Sequence, residues 1–493
     1  MENKSNKKQY IIITLIYTAI FLPLAFLRYP DARNELKYFI VAQDMIASKS
    51  YFILKYFSEL YPDKPPLYFW ILIFFKNNFE TVFYPLSLIF GSLLPSLGIV
   101  LLNFKLLNKL NARKEAIVST AFLITVPYFL GTSLFLRMDI LMSFFITGAL
   151  YLFFSMYYDN NSISVTKLIA MYSAIALGVL TKGGAGATVP LLVILSFVIL
   201  EKNSAFLKKI HFFKGLLLIF AILGVWFYAI WIQPQGKEYL SLMLGQETIG
   251  RVVQAKTHSR PFYYYISRLP LTFYPYGIAF LAAIIYYLKN IKNYNKWNVT
   301  EKIGFTWSFL PLVFFSFVSG KLDIYLLPIY SGMALLCCTF LYREKESKIG
   351  KILLKITSIL LVFPMVLEFL FNKWKNFNRS LIYIIGTTIV SYFSFYIFLP
   401  KYNEMFSLKE SIRLMKNQKE SRIIAYKFPD FLNASYELGK NIDTITDSAK
   451  IADLSSKEKT VIISREKYHK DIDSLPNLML IYNNKAYYIY ELK

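Results

Sequence analysis

The sequence predicts an all-α polytopic membrane protein of about 12–13 transmembrane helices, carrying a small C-terminal α/β domain. Three observations lead there. Apolar blocks recur from Tyr10 to Leu399, each long enough to cross a hydrocarbon layer at about 20 residues per helix. Only 17% of the 493 residues are charged and 56% are hydrophobic, whereas soluble domains carry roughly 25% charged residues. The one hydrophilic stretch of domain size comes last. The expected division is a transmembrane part over 1–400 and a soluble part over 401–493.

The apolar runs place spans near 10–28, 81–105, 114–132, 138–157, 164–181, 184–200, 213–232, 264–288, 303–318, 324–342, 351–371 and 380–399. The N-terminus (Lys4, Lys7, Lys8) resembles the start of a signal peptide. No small-residue cleavage site follows its apolar run, so an uncleaved first span is expected. Orientation follows from loop charge. The N-terminus, Phe104–Glu115, Glu201–Lys214, Leu288–Lys302 and Tyr342–Lys355 are all basic. They fall on one side if the first ten spans alternate, and that side is the cytoplasm. The outer side then receives Arg28–Pro66, Gly131–Arg137, the link at Lys182, Gln233–Phe262 and Ser319–Asp323. The basic stretch Asn372–Arg379 does not fit this alternation and leaves the last spans undecided.

Within Arg28–Pro66 the residues Leu36, Tyr38, Phe39, Val41, Ala42, Met45 and Ile46 recur at helical spacing, which predicts an amphipathic helix lying in the interface. Pro65-Pro66 followed by Leu67–Phe75 predicts a second one. In the tail, Leu408–Lys416 reads as a helix. Arg422–Tyr426, Thr460–Ile463, Leu478–Tyr482 and Ala486–Tyr490 read as strands. By the same loop-charge reasoning the tail is expected on the outer side, although a simple alternation of these spans would put it inside.

Net charge is +24, which raises the question of nucleic acid. The Lys and Arg residues gather in short loops between apolar blocks, where they meet lipid headgroups, so no nucleic-acid partner is expected. The two cysteines, Cys337 and Cys338, are adjacent in an apolar block and suit neither a disulfide nor a Cys-rich metal site.

Ionisable groups at membrane spans are costly and mark sites. Carboxylates stand at three outer-side places: Glu35 beside Asn34, Asp63 before Lys64, and Asp139 where a span opens. Taken singly, each also reads as an interfacial charge that caps a helix or snorkels. Three on one side argue for a site. The cations on that side are Lys64, Lys182, Arg251, Arg260 and Lys321, and His258 lies among them. Such a set suits a phosphorylated lipid, since Arg binds phosphate bidentately and Lys as a point charge. The plainer alternative is headgroup contact.

Three stretches of the first outer loop, Asn34-Glu35-Leu36-Lys37-Tyr38, Met45-Ile46-Ala47-Ser48 and Asp63-Lys64-Pro65-Pro66-Leu67-Tyr68, resemble that loop in the lipid A aminoarabinose transferases. These are C-type (GT-C) glycosyltransferases related to the protein O-mannosyltransferases. Further segments resemble the family in order: Leu136–Asp139, Leu180-Thr181-Lys182-Gly183, His258-Ser259-Arg260-Pro261-Phe262-Tyr263-Tyr264, and Ser319-Gly320-Lys321-Leu322 with Tyr325. The likeness weakens after about residue 345.

The resemblance implies a GT-C fold in a bacterial inner membrane, with the active site on the periplasmic side. It implies transfer of a sugar from undecaprenyl phosphate to lipid A, another glycolipid or a protein. Lys64 would grip the donor phosphate with Arg260, Arg251, Lys182 and Lys321 as further cations. Asp139 and Glu35 would serve catalysis, with Asn34 orienting. Asp63 and His258 match family positions associated with a divalent metal such as Zn, Mg or Mn. The expected assembly is a monomer among membrane lipids. Two departures bear on the acceptor: Asn34 stands where the family has Asp, and Asp323 where it has Pro. Asn cannot act as a general base, so a hydroxyl acceptor would depend on Glu35 or Asp139, whereas a phosphate acceptor needs no base. The competing readings are a transporter or lipid flippase, which places ionisable groups near the bilayer midplane, and a lipid-binding scaffold without turnover.

Overall fold

The structure is a computed structural model. It describes residues 4–159, 163–245, 258–360, 393–418, 421–454 and 459–492. Arg251, the stretch Asn372–Arg379 and most of the last two expected spans lie outside the described residues. Two compact units are present. The first comprises Met1–Ala25, Ser50–Lys55 and Leu60–Tyr392; the second comprises Phe26–Lys49, Tyr56–Glu59 and Phe393–Lys493.

The first unit is helical. Among the described residues of the chain, six helices are long and apolar enough to cross a membrane: Gln9–Leu27, Glu80–Lys109, Met138–Tyr158, Val165–Lys182, Phe212–Trp231 and Asp323–Glu344. A seventh arises if Arg113–Thr125 and Pro127–Ser133 count as one span bent by 68°. The bend has a local cause. Val126 precedes Pro127 and is extended (φ −78°, ψ 110°), because a proline ring disfavours the helical region for the residue before it. The expected single span 264–288 is also two helices, Tyr264–Thr272 and Gly277–Lys289. Pro275 lies between them, with no N–H to continue the ladder.

The helix Met138–Tyr158 shows how the unit is organised. Its 21 residues span about 30 Å, the thickness of a hydrocarbon layer, and polar clusters mark both ends. At its C-terminal end, Tyr157 donates to Glu201, which pairs with Lys302 at 2.8 Å. At its N-terminal end lies Asp139, paired with Lys182. Most of the residues between are buried, and all are apolar apart from Ser, Thr and Tyr hydroxyls. By contrast the helix Phe212–Trp231 turns Phe213, Leu217, Phe220 and Val225 outward, each at least 68% exposed. A continuous apolar face of this kind suits lipid and would be an aggregation hazard in water. The chain is a multi-pass membrane protein.

The second unit is built from both ends of the sequence. The expected interfacial helix forms over Asn34–Ala47 with Leu36, Tyr38, Phe39, Val41 and Met45 buried. The other expected helix, Leu67–Asn78, belongs to the first unit. A short hairpin, Lys55–Tyr56 (β1) and Glu59–Leu60 (β2), follows the interfacial helix. The tail carries a five-stranded sheet of order β4-β3-β5-β7-β6. Its strands are Arg422–Tyr426 (β3), Asp443–Ile445 (β4), Thr460–Arg465 (β5), Leu478–Asn483 (β6) and Tyr487–Leu492 (β7). β3 runs parallel to β4 and β5, and β7 runs antiparallel to β5 and β6. Ile424, Tyr426, Ile462, Leu478, Tyr490 and Leu492 close its core with Ile451 and Ile472. Four of the five strands match the sequence reading. The short β4 does not, because three residues leave no alternation to detect.

The loop after the first helix packs onto this tail. The Ala32 N–H donates to the Phe406 carbonyl at 2.9 Å, and the Tyr29 N–H to Asn403 Oδ1 at 3.0 Å. Asn403 Nδ2 in turn donates to the Leu27 carbonyl at 2.9 Å. The tail and the loop that follows the first helix therefore pack together as one unit.

Candidate active site

In the first unit the site is built at helix ends. Asp139 stands in the first turn of Met138–Tyr158 and is buried. A carboxylate there is favoured by the helix dipole and can accept from unsatisfied N–H groups. Lys182, the last residue of Val165–Lys182, pairs with it. What brings Lys182 there is glycine. Gly183 leaves the helix at φ 90°, a left-handed value that favours glycine. A Cβ on Gly186 would overlap the Gly178 carbonyl carbon, so Val165–Lys182 and Ala185–Leu200 can approach only as glycine surfaces. The Lys182 ammonium also sits 4.9 Å from the Tyr325 ring centre, a cation–π contact.

Two motifs about sixty residues apart are stitched together beside the helix that begins at Tyr264. Ser259 and Gly320 form an antiparallel bridge. The Arg260 N–H donates to the Ser319 carbonyl and the Lys321 N–H to the His258 carbonyl. Lys321 is buried, and its Nζ donates to the Arg260 carbonyl at 2.8 Å. Burial lowers its pKa from the ordinary lysine value. Lys321 thus fastens the two loops together. Arg260 stays exposed, with its guanidinium 5.9 Å from the Tyr264 ring centre. Asp323 forms a bidentate pair with Arg268, with Nη2 to Oδ2 at 2.7 Å, and accepts from the Tyr264 hydroxyl at 2.8 Å.

Lys64 and Asp63 precede Pro65-Pro66 and the helix Leu67–Asn78, and both are half-buried. Their loop is anchored by Tyr239, which donates to the Tyr61 carbonyl at 3.2 Å. Lys64 Nζ lies 3.2 Å from the Asp63 carbonyl. Among the described residues no three His, Cys, Asp or Glu side chains gather closely enough to hold a metal ion. Asp63 and the exposed His258 are the two donors the sequence offered, and no step below runs through a metal.

In the second unit, Asn34 and Glu35 open the helix Asn34–Ala47. Asp31 caps it, accepting from the Arg33 and Asn34 N–H groups, each at 2.9 Å. Glu35 has no exposed surface, and both oxygens are engaged. Arg28 binds them as a fork at 2.7 and 2.8 Å, and the Asp31 N–H donates to Oε2 at 2.7 Å. Arg28 also reaches the Tyr402 hydroxyl at 3.3 Å and stacks on its ring. In this arrangement the Glu35 carboxylate anchors the helix that carries Asn34.

Sequence reasoning found Glu35, Asp139, Lys182 and Lys321 without their partners. It missed Arg28, Asp31 and Arg268 as members of these networks. Arg28 ends an apolar span, where an arginine usually reads as a snorkelling anchor.

Comparison with known proteins places the chain among relatives of similar sequence and fold. Residues 63–229 match the family described as dolichyl-phosphate-mannose-protein mannosyltransferase. An uncharacterized protein of Aquifex aeolicus is 25% identical over 76% of this chain and 70% of its own. The undecaprenyl phosphate-alpha-4-amino-4-deoxy-L-arabinose arabinosyl transferase of Shewanella sediminis is 23% identical over 71% of this chain, and its namesake from an Enterobacter species 26% over 66%. The matched region spans 64% and 58% of those two transferases. The crystal structure of ArnT from Cupriavidus metallidurans bound to undecaprenyl phosphate superposes with TM-score 0.70 and 14% identity, covering 98% of this chain and 97% of that one. The chain has the C-type glycosyltransferase fold, and its sequence resembles the aminoarabinose transferases and the protein mannosyltransferases.

Proposed function

We propose that the protein is a membrane glycosyltransferase that moves a sugar from a polyprenyl phosphate, of undecaprenyl type, to an envelope acceptor at the outer face of the inner membrane. The observation that carries this reading is the buried Asp139–Lys182 pair at the mouth of a span, beside Tyr325. Ionisable residues at helix ends suit chemistry at a membrane face better than transport through the midplane.

The chemistry is a displacement at the sugar's anomeric carbon. The acceptor oxygen forms a bond to that carbon while the bond to the lipid phosphate oxygen breaks, and polyprenyl phosphate leaves. Lys64 and the exposed Arg260 neutralise charge as it grows on the leaving phosphate. Asp139 takes the proton of a hydroxyl acceptor, and Lys182 orients its carboxylate. Glu35 holds the start of the helix that carries Asn34. Lys321 keeps the Arg260 loop in place.

The test incubates the purified protein with a labelled polyprenyl-phosphate sugar and envelope extract. Label should move into an acceptor fraction as free polyprenyl phosphate appears. Donor that stays intact with every envelope fraction would sink the reading.

A further inference from the structure

The second unit contains a cleft that the chemistry above does not use. Two hollows, of about 410 and 510 Å³, share Tyr29, Ser407 and Lys409 and so form one trough. Its first part is lined by Leu27, Tyr396, Leu399 and Pro400, where the first helix ends and the helix over 393–406 approaches its own end. That helix turns Phe393, Ile397 and Phe398 outward, each at least 56% exposed. The other part is lined by Lys409, Arg413 and Lys416 over a floor of Leu36, Leu408 and Ile412. All three cations are exposed. They sit on one face of Lys409–Asn417, with Lys409 Nζ 3.6 Å from the Tyr29 ring centre. The second part holds three cations against the single carboxylate of Glu437; Glu404 and Glu410 line the apolar part. Arg413 pairs with Glu410 at 2.9 Å, but both side chains are open to water, so the pair is weak and exchangeable.

The trough is therefore graded in charge, with the three cations in one part and Leu27, Tyr396, Leu399 and Pro400 in the other. We propose that it binds an anionic membrane lipid, with the phosphate on Lys409, Arg413 and Lys416 and the acyl end along Leu27, Tyr396 and Leu399. Arg supplies a planar fork and Lys point charges, the pairing that recognises phosphate. Aromatic side chains such as Tyr29 and Tyr396 belong at the headgroup level of a bilayer. The size falls within the range of small-molecule sites. A free phosphate would have no use for the apolar half, and the gradient favours the lipid.

The test is native mass spectrometry of the full-length protein released from detergent, titrated with phosphatidylglycerol, phosphatidylcholine or inorganic phosphate. Phosphatidylglycerol should be retained in preference to phosphatidylcholine, and millimolar inorganic phosphate should not displace it. The combined variant Lys409→Gln, Arg413→Gln, Lys416→Gln should lose phosphatidylglycerol affinity by about tenfold or more. Arg413→Gln alone should lose a few-fold. All three positions are exposed, so the fold survives the changes, and an unaltered melting temperature verifies that. Equal retention by wild type and triple variant overturns the proposal. So does equal retention of the two lipids, and displacement by inorganic phosphate would transfer the site to a soluble anion.

Discussion

Glu35 and Asp139 are both buried carboxylates paired to cations, yet removing each is expected to have a different effect. Glu35→Gln leaves the Arg28 guanidinium buried against a neutral amide. Breaking one partner of a buried pair costs about 3–5 kcal/mol, which should appear as a lower melting temperature in detergent. Replacing both, as in Arg28→Met with Glu35→Met, should recover much of the loss. An unchanged melting temperature with abolished transfer would instead make Glu35 a direct participant. Asp139→Asn should lower transfer by about 10²-fold or more with donor binding intact. Near-full activity would mean an acceptor that is already ionised, such as a phosphate. Lys64→Ala should weaken donor binding about tenfold to a hundredfold, since a charge-assisted contact is worth about 1.5–3 kcal/mol. Calorimetric titration with undecaprenyl phosphate measures it, and unchanged affinity would remove Lys64 from the site. None of these partnerships was legible in the sequence. Arg28 and Glu35 face each other across a helix start, and Arg268 finds Asp323 across 55 residues. Side chains that meet only through tertiary packing leave no local signature.

At the scale of elements, the sequence was more informative. The interfacial helix declared itself through Leu36, Phe39 and Met45, which repeat at helical spacing, and β3 through its run of β-branched and aromatic residues. The broken span at Phe273–Tyr276 was missed because the apolar pattern continues through it, although Pro275 marked the break. Contacts between elements were hidden altogether. Asn433, on the short helix Phe431–Leu438, is the example. Its Nδ2 donates to the Ala32 carbonyl at 2.7 Å and the Arg33 carbonyl at 3.2 Å, and its Oδ1 accepts from Tyr56 at 2.7 Å. Burial, with Asp430 and Asp44 near, pushes the Tyr56 hydroxyl up to about 12, so it stays protonated as a donor. Asn433→Ala leaves these groups without their partner at about 1–3 kcal/mol each. Hydrogen exchange should then rise over 26–49, and exchange equal to wild type would show that the amide is dispensable.

For the whole molecule, the consequential expectation is the side of the tail. Because Leu27, Tyr29 and Ala32 bond to the tail at Asn403 and Phe406, both must face the same compartment. On the loop-charge expectation that compartment is the outer one. A fluorescent protein that matures only in the cytoplasm, fused after Lys493, should stay dark, whereas alkaline phosphatase there should be active. Bright fluorescence would reverse the orientation. Loop charge gave an expectation of where the loops lie, but no sign that two ends of the chain share a fold, since no local pattern encodes a partner hundreds of residues away.

That shared fold sets a timetable for biosynthesis. A ribosome working at about 5–20 residues per second completes the loop tens of seconds before the tail that covers it. Through that interval the Arg28–Glu35 fork lacks Tyr402, and the carbonyls of Ala32 and Arg33 lack Asn433. The waiting loop is then a natural client for holding chaperones and an early target for proteases. A stop codon anywhere before the sheet is complete would leave this early loop permanently unfinished.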